Sequence, residues 1–229
     1  HHPAAFACAL LNSQPMGFYA PAQIVREAEE NGGVEPRSVD VNSSFLDNSL
    51  EAVSESNSHH GCPHRGRKRN PFALRLGFRQ IDSFKDEWGL AIEKAREAGG
   101  PCRDVEDLMR RAGLPARAMR LLADADAFRS LGLDRREALW AVRRLPDDAA
   151  LPLFQAASAR ELGQEPAMAL PTMPLAEHIV ADYQTVRLSL KGHPMQLLRP
   201  RFRREGILSC IDTDAKPDAA FARTAGIVL

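Results

Sequence analysis

Apolar residues recur at helical spacing through the centre of the chain, between residues 73 and 146. In the first run, positions i, i+3, i+4 and i+7 are Trp88, Ala91, Ile92 and Ala95. Similar runs follow Asp104 and Asp134, and another covers residues 115–123. An aspartate before an apolar run is typical of a helix N-cap. The pattern predicts four short helices, joined by Gly- or Pro-containing turns, that form an all-α unit.

The flanking sequence predicts further short elements. Helices are expected at residues 3–12 and 21–30, and again near 175–190 and 195–205. Alternating β-branched residues predict a strand at 34–42, and the stretch 225–229 also has the composition of a strand. The fold class predicted is therefore mainly α with small β parts. Because the sequence starts without Met and stops within that last strand, we expect it to be a piece of a longer protein.

Two stretches lack any period. Residues 55–72 are polar and basic, which predicts a mobile surface loop, and residues 147–175 are rich in Pro and Ala, which is typical of a semi-extended linker. The four cysteines form no CxxC pair, so neither a disulfide framework nor an all-cysteine zinc site is expected. Apolar runs are too short for a membrane span, and no signal peptide is legible.

The net charge of zero conceals an uneven distribution. Residues 1–58 carry two basic and eight acidic side chains, whereas residues 64–111 carry twelve basic and eight acidic ones. The positive centre coincides with the predicted helices. Basic side chains beside turns that lead into helices suit phosphate oxygens, because helix N-termini offer unpaired N–H groups. Duplex DNA binding is one interpretation, and a helical bundle with a solvated charged face is the other.

Candidate DNA contacts follow from the same reasoning. Arg79 precedes the first predicted turn and Lys85 lies at the helix start that follows it, and Arg117 follows a second turn at 113–115. The basic loop adds four more candidates, which are Arg65, Arg67, Lys68 and Arg69. No metal site is predicted. The spacing of His59, His60, Cys62 and His64 is too tight for structural zinc, and the carboxylate pairs Asp124/Asp126 and Asp147/Asp148 lie in predicted turns.

Several consecutive motifs resemble one known family. The stretches NSQPMGFY, LRLGFRQI, AFRSLGLDRREALWAV and DYQTVRLSLKGHPM occur in this order. They resemble bacterial C-family DNA polymerases, the DNA polymerase III alpha subunits, and most of all the error-prone, damage-inducible paralogue. The likeness covers nearly the whole chain except residues 55–72 and part of 155–175.

The resemblance implies a division of the chain. Residues 1–54 would belong to the distal fingers and residues 73–146 to a tandem helix-hairpin-helix unit that binds duplex DNA. Residues 55–72 would be a basic loop insertion, 147–175 a linker, and 176–229 the lead-in and first strand of a truncated OB-type barrel. The catalytic palm, with its Mg²⁺-binding aspartates, would lie outside this chain, so no catalytic residue and no bound cofactor are expected within it.

The resemblance also implies a function for the full-length protein: cytoplasmic, DNA-directed DNA synthesis in replication and repair, with translesion synthesis after DNA damage. Expected partners are primer–template DNA and, beyond it, the sliding clamp and mutagenesis accessory proteins. A replicative alpha subunit and a non-catalytic DNA-binding or scaffold module are the alternatives.

Two further features qualify this resemblance. Ser83 stands where the family usually has glycine, so its hairpin would have to reach phosphate in a different way. Residues 150–154 resemble a short clamp-binding peptide without its leading Gln, which makes Leu151, Leu153 and Phe154 clamp-binding candidates. The alternative is that these apolar residues only hold the linker against the helical unit.

Overall fold

The structure is a computed structural model that describes residues 2–17, 19–53, 70–145 and 171–226. The described residues are mainly helical with one small sheet, so the predicted fold class is confirmed. The α-helices, numbered in chain order, are α1 (Pro3–Asn12), α2 (Pro21–Glu30), α3 (Asp86–Gly99), α4 (Val105–Ala112), α5 (Ala116–Asp124), α6 (Arg135–Arg143), α7 (Leu175–Thr185), α8 (Pro194–Arg204) and α9 (Cys210–Asp214).

The sheet joins the N-terminal part of the chain to the helical unit. Its strands are β1 (Pro36–Arg37), β2 (Ser49–Ala52) and β3 (Phe72–Arg75), in the spatial order β1-β3-β2. The central strand β3 runs parallel to β1 and antiparallel to β2. Only two residues of the strand predicted at 34–42 are in the sheet. Val39 and Val41 are buried, but the chain turns after Val41, whose N–H donates to the carbonyl of Ala127 (2.9 Å).

A polar network fixes helix α1 to the loop that precedes β2. The Asn12 side chain donates to the Asn48 carbonyl (2.9 Å) and accepts from the Asn48 N–H (2.8 Å). The Asn48 side-chain oxygen accepts in turn from the N–H of Gly77 (3.0 Å). At Gly77 a Cβ atom would lie 2.4 Å from the Asp47 carbonyl carbon, so only glycine permits this backbone approach.

The four helices predicted at the centre of the chain are confirmed as α3 to α6. The Asp104 side chain accepts from the Asp107 N–H, and the Asp134 side chain accepts from the Glu137 N–H, as N-caps do. Helix α3 differs in one detail, because its N-cap is Lys85 and Asp86 is its first residue. The apolar faces of α3, α4, α5 and α6 form one continuous core with α1, α2 and β3.

The two later helices predicted near 175–190 and 195–205 are confirmed as α7 and α8. Ile179 is buried, and Val186 and Leu188 belong to the main core, so the chain after α7 packs onto the central unit. The strand predicted at 225–229 falls partly outside the described residues. Of its described positions, Ala225 and Gly226 are in no strand, and the nearest β contact is an isolated bridge between Leu208 and Thr224.

Candidate nucleic-acid interface

Three turns of the same local design lead into helices α3, α5 and α6. Each contains one residue in the left-handed region: Ser83 (φ 59°), Gly113 (φ 62°) and Gly132 (φ 76°). In all three turns the helix begins three residues later, at Asp86, Ala116 or Arg135. We call them the first, second and third turns. They place three helix N-termini, with their unpaired N–H groups, after tight hairpins.

The first turn carries two predicted contacts, Ser83 and Lys85, and both are exposed. Ser83 adopts the conformation that glycine prefers, so the serine keeps the backbone geometry of the turn. Among the described residues, the backbone N–H groups of Ser83 and Lys85 have no hydrogen-bond acceptor. The Lys85 ammonium lies 3.1 Å from Glu87 Oε1 and 5.2 Å from the centre of the Trp88 ring. Neighbouring carboxylates therefore compete with any phosphate here.

The second turn is electrostatically the most suitable for phosphate. Its N-cap is Pro115, which supplies no side-chain cap, and the first turn of α5 contains no acidic residue. From residue 108 to residue 123 the sequence has four arginines and no carboxylate. Arg117 is exposed on the first turn of α5. Arg110, at the end of α4, has 76% of its side chain exposed but pairs with Asp107 (3.0 Å), so Arg117 is the principal cation of this turn.

The third turn is closed by its own residues. Asp134 and Glu137 form a capping box, in which the Asp134 carboxylate accepts from the Glu137 N–H (2.8 Å) and Glu137 accepts from the Asp134 N–H (2.8 Å). Two carboxylates thus occupy the N-terminus of α6. The next basic residue, Arg135, is 2% exposed and points into the protein. This turn is therefore poorly suited to bind an anion.

Arg79 lies in a 3₁₀ helix (Phe78–Gln80) just before the first turn. Its guanidinium donates to the carbonyl of Asn12 (2.7 Å) and lies 3.0 Å from Asp47 Oδ1. These contacts tie the end of α1 and the loop before β2 to the base of the first turn. Arg79 is therefore close to Ser83 and Lys85 in sequence. Its guanidinium, however, is bound to the protein itself, at Asn12 and Asp47.

A buried ionic network connects the third turn to helix α7, and sequence reasoning missed it. Arg135 pairs with Asp182, whose carboxylate also accepts from the Ser189 hydroxyl (2.7 Å) and lies 3.1 Å from the Lys191 ammonium. Lys191 reaches Asp126 as well (3.1 Å). The sequence does show an aspartate, Asp182, on the buried side of α7, which suggests a buried partner. That partner, Arg135, is 47 residues away in sequence.

The same network lowers the basicity of a histidine. The Arg135 guanidinium donates to the carbonyl of His178 (3.1 Å). Burial lowers the pKa of His178 below its usual 6.5, and the charges of Lys191 and Arg135 lower it further. The carboxyl of Asp124 behaves in the opposite way, because burial raises its pKa against the opposing effect of Arg135.

Other candidates lie outside the described residues. These are the basic-loop residues Arg65, Arg67, Lys68 and Arg69, the clamp-binding candidates Leu151, Leu153 and Phe154, and the histidine cluster at 59–64. In the part of the chain that is described, no three His, Cys, Asp or Glu side chains converge as a metal site would need. None of the described helices combines the length and apolarity needed to cross a bilayer.

Comparison with known proteins gives these turns a context. A family model for a helix-hairpin-helix motif matches residues 33–138, which include all three turns. Error-prone DNA polymerases match the entire chain. The protein of Rhodopseudomonas palustris (strain BisA53) is 54% identical over all of this chain and 20% of its own length. That of Brucella abortus biovar 1 (strain 9-941) is 53% identical, again over all of this chain and 20% of its own length.

Over its whole length, the chain is similar to one segment of error-prone DNA polymerases. The resemblance seen in the sequence is thereby confirmed, and so is the helix-hairpin-helix element. A third error-prone DNA polymerase, from Bradyrhizobium sp. (strain ORS 278), is 49% identical over all of this chain and 24% of its own length. The chain thus spans about a fifth of the length of the curated error-prone DNA polymerases that it matches.

Proposed function

We propose that this chain is part of an error-prone, DNA-directed DNA polymerase of the alpha-subunit type and that it supplies duplex DNA binding. One observation carries the proposal: proteins with that name match the chain from end to end at about half identity. The first and second hairpin turns, within a region that matches a helix-hairpin-helix motif, support the binding role. The enzyme as a whole would act in the bacterial cytoplasm, in DNA repair and in synthesis across damaged template.

Within that enzyme we assign residues 1–54 to the fingers and residues 73–146 to the duplex-binding unit. Nucleotidyl transfer, and the Mg²⁺ ions that would assist it, would be the task of a part of the longer protein outside this chain. The contribution of the present residues is to hold the primer–template in register for that reaction. Contacts of this kind position the duplex and carry no sequence information.

The second turn is the principal phosphate contact in this proposal. It combines the exposed Arg117 with an uncapped helix N-terminus and has no carboxylate nearby in sequence. Lys85 and Ser83 on the first turn give a second, weaker contact, because Glu87 already pairs with Lys85. Arg79 stabilises the segment before the first turn through its contacts with Asn12 and Asp47. The basic loop adds long-range attraction through Arg65, Arg67, Lys68 and Arg69.

The test is fluorescence anisotropy of the 229-residue chain with a labelled blunt duplex, repeated across a salt series. The double variant Lys85→Glu plus Arg117→Glu removes two phosphate contacts, so the slope of log K against log salt should become shallower by about 1.8. A control is Arg26→Glu, which reverses one exposed charge on α2 that pairs with Glu30 and belongs to none of the turns. Equal slopes for the double variant and the parent would contradict the assignment of the turns, and absence of duplex binding by the parent would contradict the binding role itself.

We further propose that Leu151, Leu153 and Phe154 bind the sliding clamp. The support is their resemblance to a clamp-binding peptide and their position in a Pro-rich stretch of the sequence. Purified clamp should be retained by the parent chain and lost with Leu153→Asp plus Phe154→Asp. Unchanged retention by this variant would refute the proposal. Mutagenesis accessory proteins are further partners expected of the whole enzyme.

A further inference from the structure

A second basic surface lies on helix α8, away from the three turns in sequence. Between residues 186 and 206 there are six basic side chains and one acidic one. Four of the arginines are on α8 itself, at positions 199, 201, 203 and 204. The helix is held to α7, where Met195 is buried and Gly192 lies against Ile179. The charge is therefore displayed on an element that is fixed to the rest of the protein.

One face of α8 forms an open groove of about 390 Å³, lined by Met195, Gln196, Arg199, Pro200 and Arg203. Arg199 and Arg203 are one helical turn apart, so both guanidinium groups border the same groove. Arg201 points to another side of the helix and is neutralised by Glu205 (2.8 Å). Among the described residues, no carboxylate lies within ion-pair distance of Arg199 or Arg203, and the Arg199 guanidinium donates to the carbonyl of Leu208 (3.4 Å). The nearest acidic group is Asp212, whose pKa is lowered first by hydrogen bonds from Ser209 and further by Arg203 and Arg199.

The groove also offers apolar surface and hydrogen-bonding groups. Met195 and Pro200 give it apolar walls. Pro200 lies inside the helix and has no N–H, so the carbonyl of Gln196 loses its usual helical donor. Gln196 is itself exposed, and its side-chain oxygen lies near Gly192. One small groove thus combines two guanidinium groups, an apolar wall and groups that can pair with a base edge.

We propose that this groove binds single-stranded DNA, namely the unpaired strand that continues from the duplex held by the hairpin turns. Arg199 and Arg203 contact successive phosphates, and the apolar wall receives an unstacked base or its sugar. A duplex would present its phosphates to the arginines but would keep its base faces stacked, so the apolar wall favours an unpaired strand. The inference rests on the proposed function, since it presupposes that the turns bind the neighbouring duplex.

The experiment compares two DNA probes with the 229-residue chain: a blunt duplex and the same duplex with a single-stranded 5′ overhang. The parent is expected to bind the overhang probe more tightly. Arg199→Glu plus Arg203→Glu should abolish that preference and reduce the salt slope for the overhang probe by about 1.4, which corresponds to two single-strand phosphate contacts. Binding to the blunt duplex should be unchanged.

The matched control is Arg201→Glu, which makes the same charge change as Arg203→Glu alone but on another side of α8, and it should retain the preference. Arg203→Glu alone, at an exposed position, serves as a second variant, and thermal unfolding verifies that each variant is folded. Equal loss with Arg201→Glu, or no loss with the Arg199/Arg203 variant, would overturn the proposal. If the parent binds neither probe, the duplex-binding function fails first; if it binds both equally, only the groove proposal fails.

Discussion

At the scale of single residues, Ser83 keeps the left-handed backbone conformation of a hairpin turn although it is not a glycine. The residue has a φ of 59°, close to the 62° of Gly113 in the second turn. A left-handed conformation costs a residue with a Cβ atom roughly 1–2 kcal/mol. The first turn therefore carries strain that the second and third turns do not.

We predict that Ser83→Gly will raise the free energy of unfolding by about 1 kcal/mol, because it removes this strain. The opposite change, Gly113→Ala, should lower that free energy by about 1 kcal/mol. Nothing lies within 4 Å of the Cβ position at Gly113, so its effect would come from the backbone alone. Urea unfolding of both variants measures the two values, and a destabilised Ser83→Gly chain would show that the serine hydroxyl compensates for the strain.

His178 gives a pH-dependent stability whose sign follows from its burial. Its folded pKa is depressed below 6.5, so the unfolded chain binds a proton more readily than the folded one. The histidine's contribution to stability is full above pH 6.5 and is lost as pH falls from there toward the folded pKa. We predict that the parent loses more stability than His178→Gln over this range, measured by urea unfolding at a series of pH values. Parallel pH profiles for the two chains would contradict this prediction.

At the scale of elements, the junction between α6 and α7 depends on charge as well as on apolar contact. Arg135 and Asp182 are both buried, and Ser189 and Lys191 complete the environment of the carboxylate. Removing one partner from a buried pair leaves the other charge without compensation. An exposed pair in the same region, Asp82 with Arg187, is surrounded by solvent and has no such role.

We predict that Asp182→Asn will lower the free energy of unfolding by about 3–5 kcal/mol. The matched variant Asp82→Asn should lower it by no more than about 1 kcal/mol. Chemical denaturation of the two chains checks the difference. Similar values for both would mean that the buried pair contributes no more than a surface one.

The elements that sequence can predict are those whose signals are local. Helices α3 to α6 follow from apolar spacing and from caps such as Asp104 and Asp134, which act within three residues. The strand predicted at 34–42 is too long, because Val39 and Val41 are buried by packing rather than by a β-ladder. The Arg135–Asp182 pair joins distant parts of the chain, and no local pattern encodes it. In the same way, the sequence predicts that Ser83 and Lys85 lie on one turn. It does not predict that the Arg79 guanidinium binds the Asn12 carbonyl and the Asp47 carboxylate, because these residues are distant in sequence.

At the scale of the whole molecule, the part of the chain that starts with α7 contributes to the folded core only in its first half. Ile179, Val186, Leu188 and Met195 are buried, together with Asp182. In the described residues 205–226, by contrast, no side chain is buried. The folded protein therefore depends on α7 and on the residues up to α8, and depends little on residues 205–226.

We predict that a chain ending after residue 145 will have a markedly lower thermal unfolding midpoint, because Arg135 then lacks its carboxylate and the core loses Val186 and Leu188. A chain ending after residue 204 should unfold at nearly the same temperature as the parent. Differential scanning calorimetry of the two truncated chains makes the comparison. Equal midpoints for both would show that α7 adds nothing to the folded unit.

The contacts around Arg79 have a mechanical consequence. The 3₁₀ helix before the first turn is bonded to the backbone carbonyls of Phe45 and Leu46, and the Arg79 side chain grips the end of α1. A displacement of the first turn would therefore be passed on to α1 and to the loop before β2. The first turn, the end of α1 and the loop before β2 would move together as one body.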